Sequence, residues 1–296
     1  MNASGDDAVV TVPVPPTGLP VANSLATSRP ARLLGAIGAT ARTLVTALFG
    51  GIGRAWFFTR EVVRATRVVS DWRPHVMEHA RVLGVDSLPI GIFLAVFTGI
   101  VLALLASYSI SDLVPLYFVG TLVQKTVTME LAPVLTGLAL AGRVGANIAA
   151  QLGTMRVTEQ VDALETLAYD PLAYLVVPRV IASTVMFPVV VGAAMLVGLT
   201  SGWLASIGLL DLTTPQFLKG VRLFFETFDV RYGLVKSASF GCAVALAGCH
   251  AGLATRGGAE GVGRAATRAV VLGAILILVL DAIWALVWLT GKTLTH

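Results

Sequence analysis

Apolar positions along the chain gather into long uninterrupted runs separated by short polar connections. The clearest run, Leu88 to Tyr108, holds no charged side chain and is long enough to cross the ~30 Å hydrocarbon core of a bilayer as a helix. A second begins near Val114 and continues past Lys125 and Glu130 toward Arg143. A third covers Val180 to Leu210, long enough to tilt, or to break at Pro188 or within 198–202. The fourth runs from Tyr232 to Ala254 and the fifth from Ala269 to Leu289. Between the third and fourth, Phe217, Val221, Phe224 and Phe225 alternate with Lys219, Arg222 and Glu226, the pattern of a small surface helix. Upstream, from Arg32 to about Trp72, Leu34, Ile37, Ala41, Leu44, Leu48, Ile52 and Ala55 form an apolar stripe. Arg42, Arg54, Arg60, Arg64 and Arg67 flank it, which fits a helix lying in the headgroup layer. The pattern predicts an all-α integral membrane protein with an N-terminal interfacial amphipathic helix and five spans.

One connection differs from the rest. Between spans 2 and 3, Thr154 to Tyr169 reads as a short amphipathic helix with Val157, Val161, Leu164 and Ala168 at helical spacing. Glu159, Asp162 and Glu165 fall three apart on another face, and Asp170-Pro171 ends the helix. The segment is too short and too charged to cross a bilayer. Periodicity alone leaves two readings open, a solvated loop helix and a docking helix for a partner.

Composition agrees with the pattern. Hydrophobic residues make up 56% of the chain and charged residues 13%, half the share of a soluble domain, and mean hydropathy is +0.82. Of the 21 Lys and Arg, those from Arg29 to Arg81 precede the first clean span. That bias predicts a cytoplasmic N-terminus and attraction to anionic lipid, with no nucleic-acid role. The two connections marked by Arg143, Arg156 and Arg179 and by Arg256, Arg264 and Arg268 then fall inside, and the C-terminus outside. Residues 1–30 read as a disordered cytoplasmic tail, 31–86 as the interfacial helical region and 87–291 as the five-span unit. Cys242 and Cys249 are too few for a disulfide framework or a metal site.

Several apparent chemistries dissolve on inspection. His75-Val-Met-Glu78-His79 spells a zinc-protease motif, but no downstream carboxylate completes it, and coincidence is the expectation. Gly257 to Arg264 is rich in glycine yet lacks the ending of a P-loop, so this chain is expected to bind no nucleotide. What stands out is charge within the bilayer at Lys125, Glu130, Lys236 and Asp281. Each is costly if unpaired, so each should face the bundle, water or an opposite charge. A packing pair and a polar lining for a lipid headgroup or gate are equally compatible. Depth suggests a Lys236–Asp281 pair, with Lys125 as a rival partner. An ion-coupled carrier using these four side chains is the alternative class, although no internal repeat supports it.

The stretch Glu130 to Arg179 resembles the signature of the MlaE/YrbE permeases, the membrane subunits of MCE-type lipid ABC transporters. Glu130, Pro133, Arg143, Gly145, Arg156, Thr158, Glu159, Gln160, Asp170, Pro171, Pro178 and Arg179 match its pattern; Ala132 stands where glycine is usual. Gly261 to Val270, the lysine of span 4 and the aspartate of span 5 also resemble the family, and the likeness covers about residues 32–291. It implies a dimer of five-span subunits in the inner (cytoplasmic) membrane, each docking an MlaF-like ABC ATPase that carries the ATP and magnesium. It also implies a ring of MlaD-like MCE-domain partners on the periplasmic side and a lipid substrate. By the same resemblance the 154–169 segment is a cytoplasmic coupling helix, with Arg156, Thr158, Glu159, Gln160, Val161, Asp162, Leu164 and Glu165 as coupling residues. Lys125, Glu130, Arg143, Lys236 and Asp281 become candidates for an intramembrane polar pathway.

Overall fold

Hydrocarbon offers the backbone no hydrogen-bond partners, so each apolar run must satisfy its own amides, and helices form where the runs lie. The computed structural model describes residues 53–110, 114–210 and 212–293. The expected tail at 1–30, the first part of the interfacial stripe through Ile52, and the outer turn at 111–113 lie outside the described residues. Helix α1 is described over residues 53–65; α2 (Val69–Leu83) follows after a break at 66–68, so the helix expected to run through to Trp72 is two helices. A 3-10 turn, Val85–Ser87, leads into α3 (Leu88–Ser109), the first clean span.

Span 2 is one long rod of changing pitch. It comprises α4 (Phe118–Thr126), a π turn Val127–Leu131, α5 (Ala132–Leu140), a second π turn Ala141–Gly145, and α6 (Ala146–Val157). After α7 (Gln160–Thr166) a third π turn, Leu172–Val176, opens span 3, which continues as α8 (Val177–Leu209). Two of the π turns have a common cause. Pro133 and Pro178 stand just beyond them, and a proline ring neither donates to nor fits against the carbonyl four residues back. Widening to an i→i+5 pattern relieves that clash. Pro188, expected as a breaking point, leaves α8 continuous, as do Gly198 and Gly202. The surface helix α9 (Thr214–Leu223), α10 (Thr227–Leu253) and α11 (Gly258–Thr293) complete the order.

Among the described residues, five helices are long and apolar enough to cross a membrane. One end of the bundle carries the 158–171 and 254–257 connections, and the opposite end carries α9. Two apolar cores fill it. The first joins Leu140, Ile148, Leu152, Val161, Phe187, Phe240 and Ile277; the second joins Val119, Val123, Val127, Met195 and Phe217.

Close backbone approach holds the second core together, as expected where lipid removes the hydrophobic drive between helices. A Cβ on Gly99 of α3 would collide with the Gly198 carbonyl of α8. One on Gly220 of α9 would collide with the Tyr117 carbonyl at the head of span 2, where the Thr121 hydroxyl donates to the Gly220 carbonyl at 2.6 Å. The obstacle is backbone rather than a mobile side chain. Gly220→Ala is therefore expected to destabilise by about 1–3 kcal/mol, read as a lower unfolding temperature in detergent.

Candidate functional site

Lys236 of α10 is completely buried, and a charge so placed must be compensated on all sides. Its ammonium donates to Glu130 Oε2 at 2.7 Å, forms an ion pair with Asp281 Oδ1 of α11, and reaches the Met129 carbonyl at 3.4 Å. The carbonyl is available for a reason in the sequence: Met129 lies four residues before Pro133, which has no N–H to offer it. The first π turn also carries Glu130. Thus the proline of the Glu-Leu-Ala-Pro stretch shapes both the carbonyl and the carboxylate that receive Lys236. The ammonium sits 5.5 Å over the Tyr232 ring, which packs edge-on against Trp284. Trp284 Nε1 donates to Ser239 Oγ at 3.0 Å, tying α11 to α10 beside the cluster.

The expected Lys236–Asp281 pair is present, with Glu130 as a third member. Lys125, the expected rival, pairs elsewhere, at 2.7 Å from Asp229 Oδ2. Asp229 was not among the candidates because it stands at the start of a span, in the polar 211–231 stretch. Its side chain is 2% exposed, and it accepts from Gln124 Nε2 at 3.4 Å and from the Glu226 amide at 3.4 Å. Gln124 Nε2 also donates to Thr128 Oγ1 at 3.4 Å. One half of the bundle therefore holds two lysines against three carboxylates. Exposure differs across the triad: Asp281 is 18% exposed and Glu130 47%, so Glu130 forms its open edge. Arg143 belongs to neither group. It is exposed on the second π turn, roughly 20 Å further along span 2 at 1.5 Å per residue.

The connection at the other end departs from the expected single helix 154–169. Residues 154–157 finish α6, and α7 is a separate helix of seven residues. Glu159 at φ 60° and Ala168 at φ 61° occupy the left-handed region on either side of it. The second break is a Schellman motif, the Ala168 amide donating to the Glu165 carbonyl at 3.0 Å and the Tyr169 amide to the Leu164 carbonyl at 3.1 Å. Left-handed backbone at residues other than glycine costs about 1 kcal/mol or more each, and such residues mark sites held by their surroundings. Asp170 Oδ1 accepts from the Leu172 amide at 2.9 Å and restarts the chain into span 3.

Side-chain placement narrows which of these residues face outward. Val161 is buried in this chain's own core and Leu164 packs against that core, so neither is free to fill a partner's groove. Asp162 forms an ion pair with Arg156, tying α7 to α6, so of the three acidic residues spaced along this face Glu159 and Glu165 are the two with no salt bridge among the described residues. Thr158 Oγ1 donates to the Thr154 carbonyl at 2.9 Å, and Gln160 is exposed. The large apolar side chains exposed here are Val157, Leu167 and Tyr169. His75, by contrast, packs edge-on against Tyr174 at 4.6 Å, and among the described residues no cluster of metal-binding side chains occurs.

The described residues thus bring together a charged cluster within the spans and, at one end of the bundle, a connection with two left-handed residues. The comparisons fall on the same region. A model of the Permease MlaE family matches residues 76–287. A probable ABC transporter permease protein of Rickettsia prowazekii (strain Madrid E) is 44% identical over 197 residues, 67% of this chain and 76% of the relative. Another, from Synechocystis sp. (strain ATCC 27184 / PCC 6803 / Kazusa), is 40% identical over 223 residues, covering 75% and 85%. Protein TRIGALACTOSYLDIACYLGLYCEROL 1, chloroplastic, of Arabidopsis thaliana is 36% identical over 163 residues, covering 55% and 47%. The matched region takes in α3 through most of α11, with the lysine cluster and the 158–171 connection inside it, and on that ground the chain belongs to the MlaE permease family.

Proposed function

We propose that this chain is the permease subunit of an ATP-driven ABC transporter that moves phospholipid or a related lipid between the inner membrane and the cell envelope. The observation that carries the reading is its likeness, at 40–44% identity, to proteins named as probable ABC transporter permeases. The chloroplast relative named after a glycolipid supports a lipid cargo. ATP and its magnesium belong to a separate ATPase subunit that docks at the 158–171 connection. A second copy of the permease, and a ring of MCE-domain protein on the far side, complete the assembly.

In this reading the N-terminus, 158–171 and 254–257 face the cytoplasm, and α9 and the C-terminus face the periplasm. Arginines concentrate at the first end, as the positive-inside rule requires. Single-cysteine labelling in a background without Cys242 and Cys249 checks it: position 160 should label only from the cytoplasmic side and position 215 only from outside. The reverse pattern overturns the orientation.

The decisive test is transfer of a fluorescent phospholipid out of proteoliposomes holding the complex purified with its own ATPase. Transfer should require ATP. Transfer driven by an ion gradient without the ATPase would instead favour an ion-coupled carrier built on Lys125, Glu130, Lys236 and Asp281. Pro133→Ala probes the site within this assay. Alanine restores an N–H for the Met129 carbonyl and removes the need for the π turn, so it competes with Lys236 and turns Glu130 away. The protein should fold, and transfer should fall about tenfold, the equivalent of ~1.4 kcal/mol.

A further inference from the structure

Arg179, near the start of α8, carries a charge that neither the lysine cluster nor the exposed connection accounts for. It is 6% exposed, and no carboxylate lies within ion-pair distance of it among the described residues. Its Nη1 donates to the Leu175 carbonyl in the third π turn. Its Nη2 donates to Gln151 Oε1 of α6 at 3.4 Å, and Nε has no partner among the described residues. The start of span 3 lies against α2: His75 meets Tyr174 edge-on, and a Cβ on Gly84 would collide with Met186.

Two neutral acceptors and the Glu78 carboxylate of α2, which acts on it from beyond ion-pair distance, compensate the buried guanidinium incompletely, and an apolar side chain of similar volume would hold this position at least as well. Packing therefore leaves the arginine unexplained. The identity of its acceptors does not. Gln151 precedes the 158–171 connection on span 2, and Leu175 follows it on span 3. Arg179 itself belongs to span 3, and Leu175 lies four residues back on that span, so the bond that crosses to span 2 is the one from Nη2 to Gln151, made by a rigid, planar donor.

We propose that Arg179 is a positioning residue: a clamp that makes the connection-side ends of spans 2 and 3 move together when the connection is displaced. Its consequence for transport rests on the permease reading above; its geometry does not.

The test has two arms. In the first, amide hydrogen exchange is followed on the purified chain alone. Arg179→Gln should speed exchange across 148–152 and 172–176 about tenfold, because the local opening is no longer restrained. In the second, hydrolysis and fluorescent-phospholipid transfer are measured together in proteoliposomes with the co-purified ATPase. Arg179→Gln should leave hydrolysis within about twofold while lipid moved per ATP falls about tenfold. Arg179→Lys, which keeps one donor, should lie between, and Gln151→Glu, which gives the guanidinium a carboxylate, should hold the wild-type ratio. Gln151→Ala, at an exposed position, serves should Arg179→Gln fail to insert, and should lower the ratio about threefold. A purely structural role would depress hydrolysis and transfer in proportion, and that result, or an unchanged ratio, overturns the coupling role. Unchanged exchange overturns the clamp itself. A wild-type complex that moves no lipid under ATP sinks the permease reading, while the exchange arm still decides the clamp.

Discussion

Lys236→Met is expected to abolish ATP-dependent lipid transfer. Methionine matches the stem of lysine in volume, so the core around α10 stays filled while the charge disappears. Glu130 and Asp281 are then left facing one another without a cation. Leaving a buried charge uncompensated costs about 3–5 kcal/mol, a range that applies to Asp281 and much less to the half-exposed Glu130, which water screens. The two carboxylates should separate, and α11 should part from the π turn of span 2. Asp281→Asn should impair transfer less, because Lys236 keeps Glu130. The Lys236→Asp/Asp281→Lys exchange restores one pair but sets the new aspartate against Glu130, so it should recover only part of the loss. Adding Glu130→Gln should raise the recovery. Transfer in the exchanged protein no better than in the worse single variant would remove support for the pairing.

The sequence made that cluster legible only in part, and the reason is geometric. Charge inside an apolar run is visible without a structure, and depth along antiparallel spans was enough to suggest Lys236 beside Asp281. Depth gives no azimuth, however. Whether Glu130 turned toward Lys236, or Lys125 toward Asp281, depended on the phase of span 2, and the π turn at Val127–Leu131 shifts that phase. The signal for it was Pro133, whose effect on the preceding carbonyl reads from sequence as a possible kink and not as a widened turn. Asp229 was missed because it stands in a polar stretch where a carboxylate draws no notice, yet its side chain is 2% exposed. The five spans were legible because a continuous apolar run has one solution in hydrocarbon. The connection between spans 2 and 3 reads from sequence as one helix, since Glu159 and Ala168 are ordinary helix residues and only tertiary packing holds them left-handed. That packing also decided which apolar side chains face outward.

Leu167→Asp is expected to abolish capture of the ATPase by an otherwise intact permease. A membrane subunit that leaves hydrolysis to a partner must feel it mechanically, through contacts at the end of the bundle where spans 2 and 3 join. Of the apolar side chains there, Leu167 is 68% exposed, Tyr169 46% and Val157 37%, while Val161 is 4% exposed within the chain's own core. Apolar contacts desolvated at the centre of an interface carry most of its affinity, and charges at the rim set association rate and salt sensitivity. In the proposed docking Leu167 is therefore the anchor, with Tyr169 beside it. In the same proposal Glu159 and Glu165 form the rim toward a basic partner surface. A buried aspartate in place of the anchor costs several kcal/mol and should reduce capture by a hundredfold or more, roughly 2.7 kcal/mol. Glu159→Lys should slow association at low salt and converge on the wild type at high salt. Leu164→Asp and Val161→Asp serve as contrasts: both strike the chain's own core, so they should lower the unfolding temperature before they touch docking. Pull-down of the ATPase with each variant, with insertion and thermal unfolding measured alongside, separates the two effects. Capture retained by Leu167→Asp, with stability unchanged, would return the connection to a passive turn between spans.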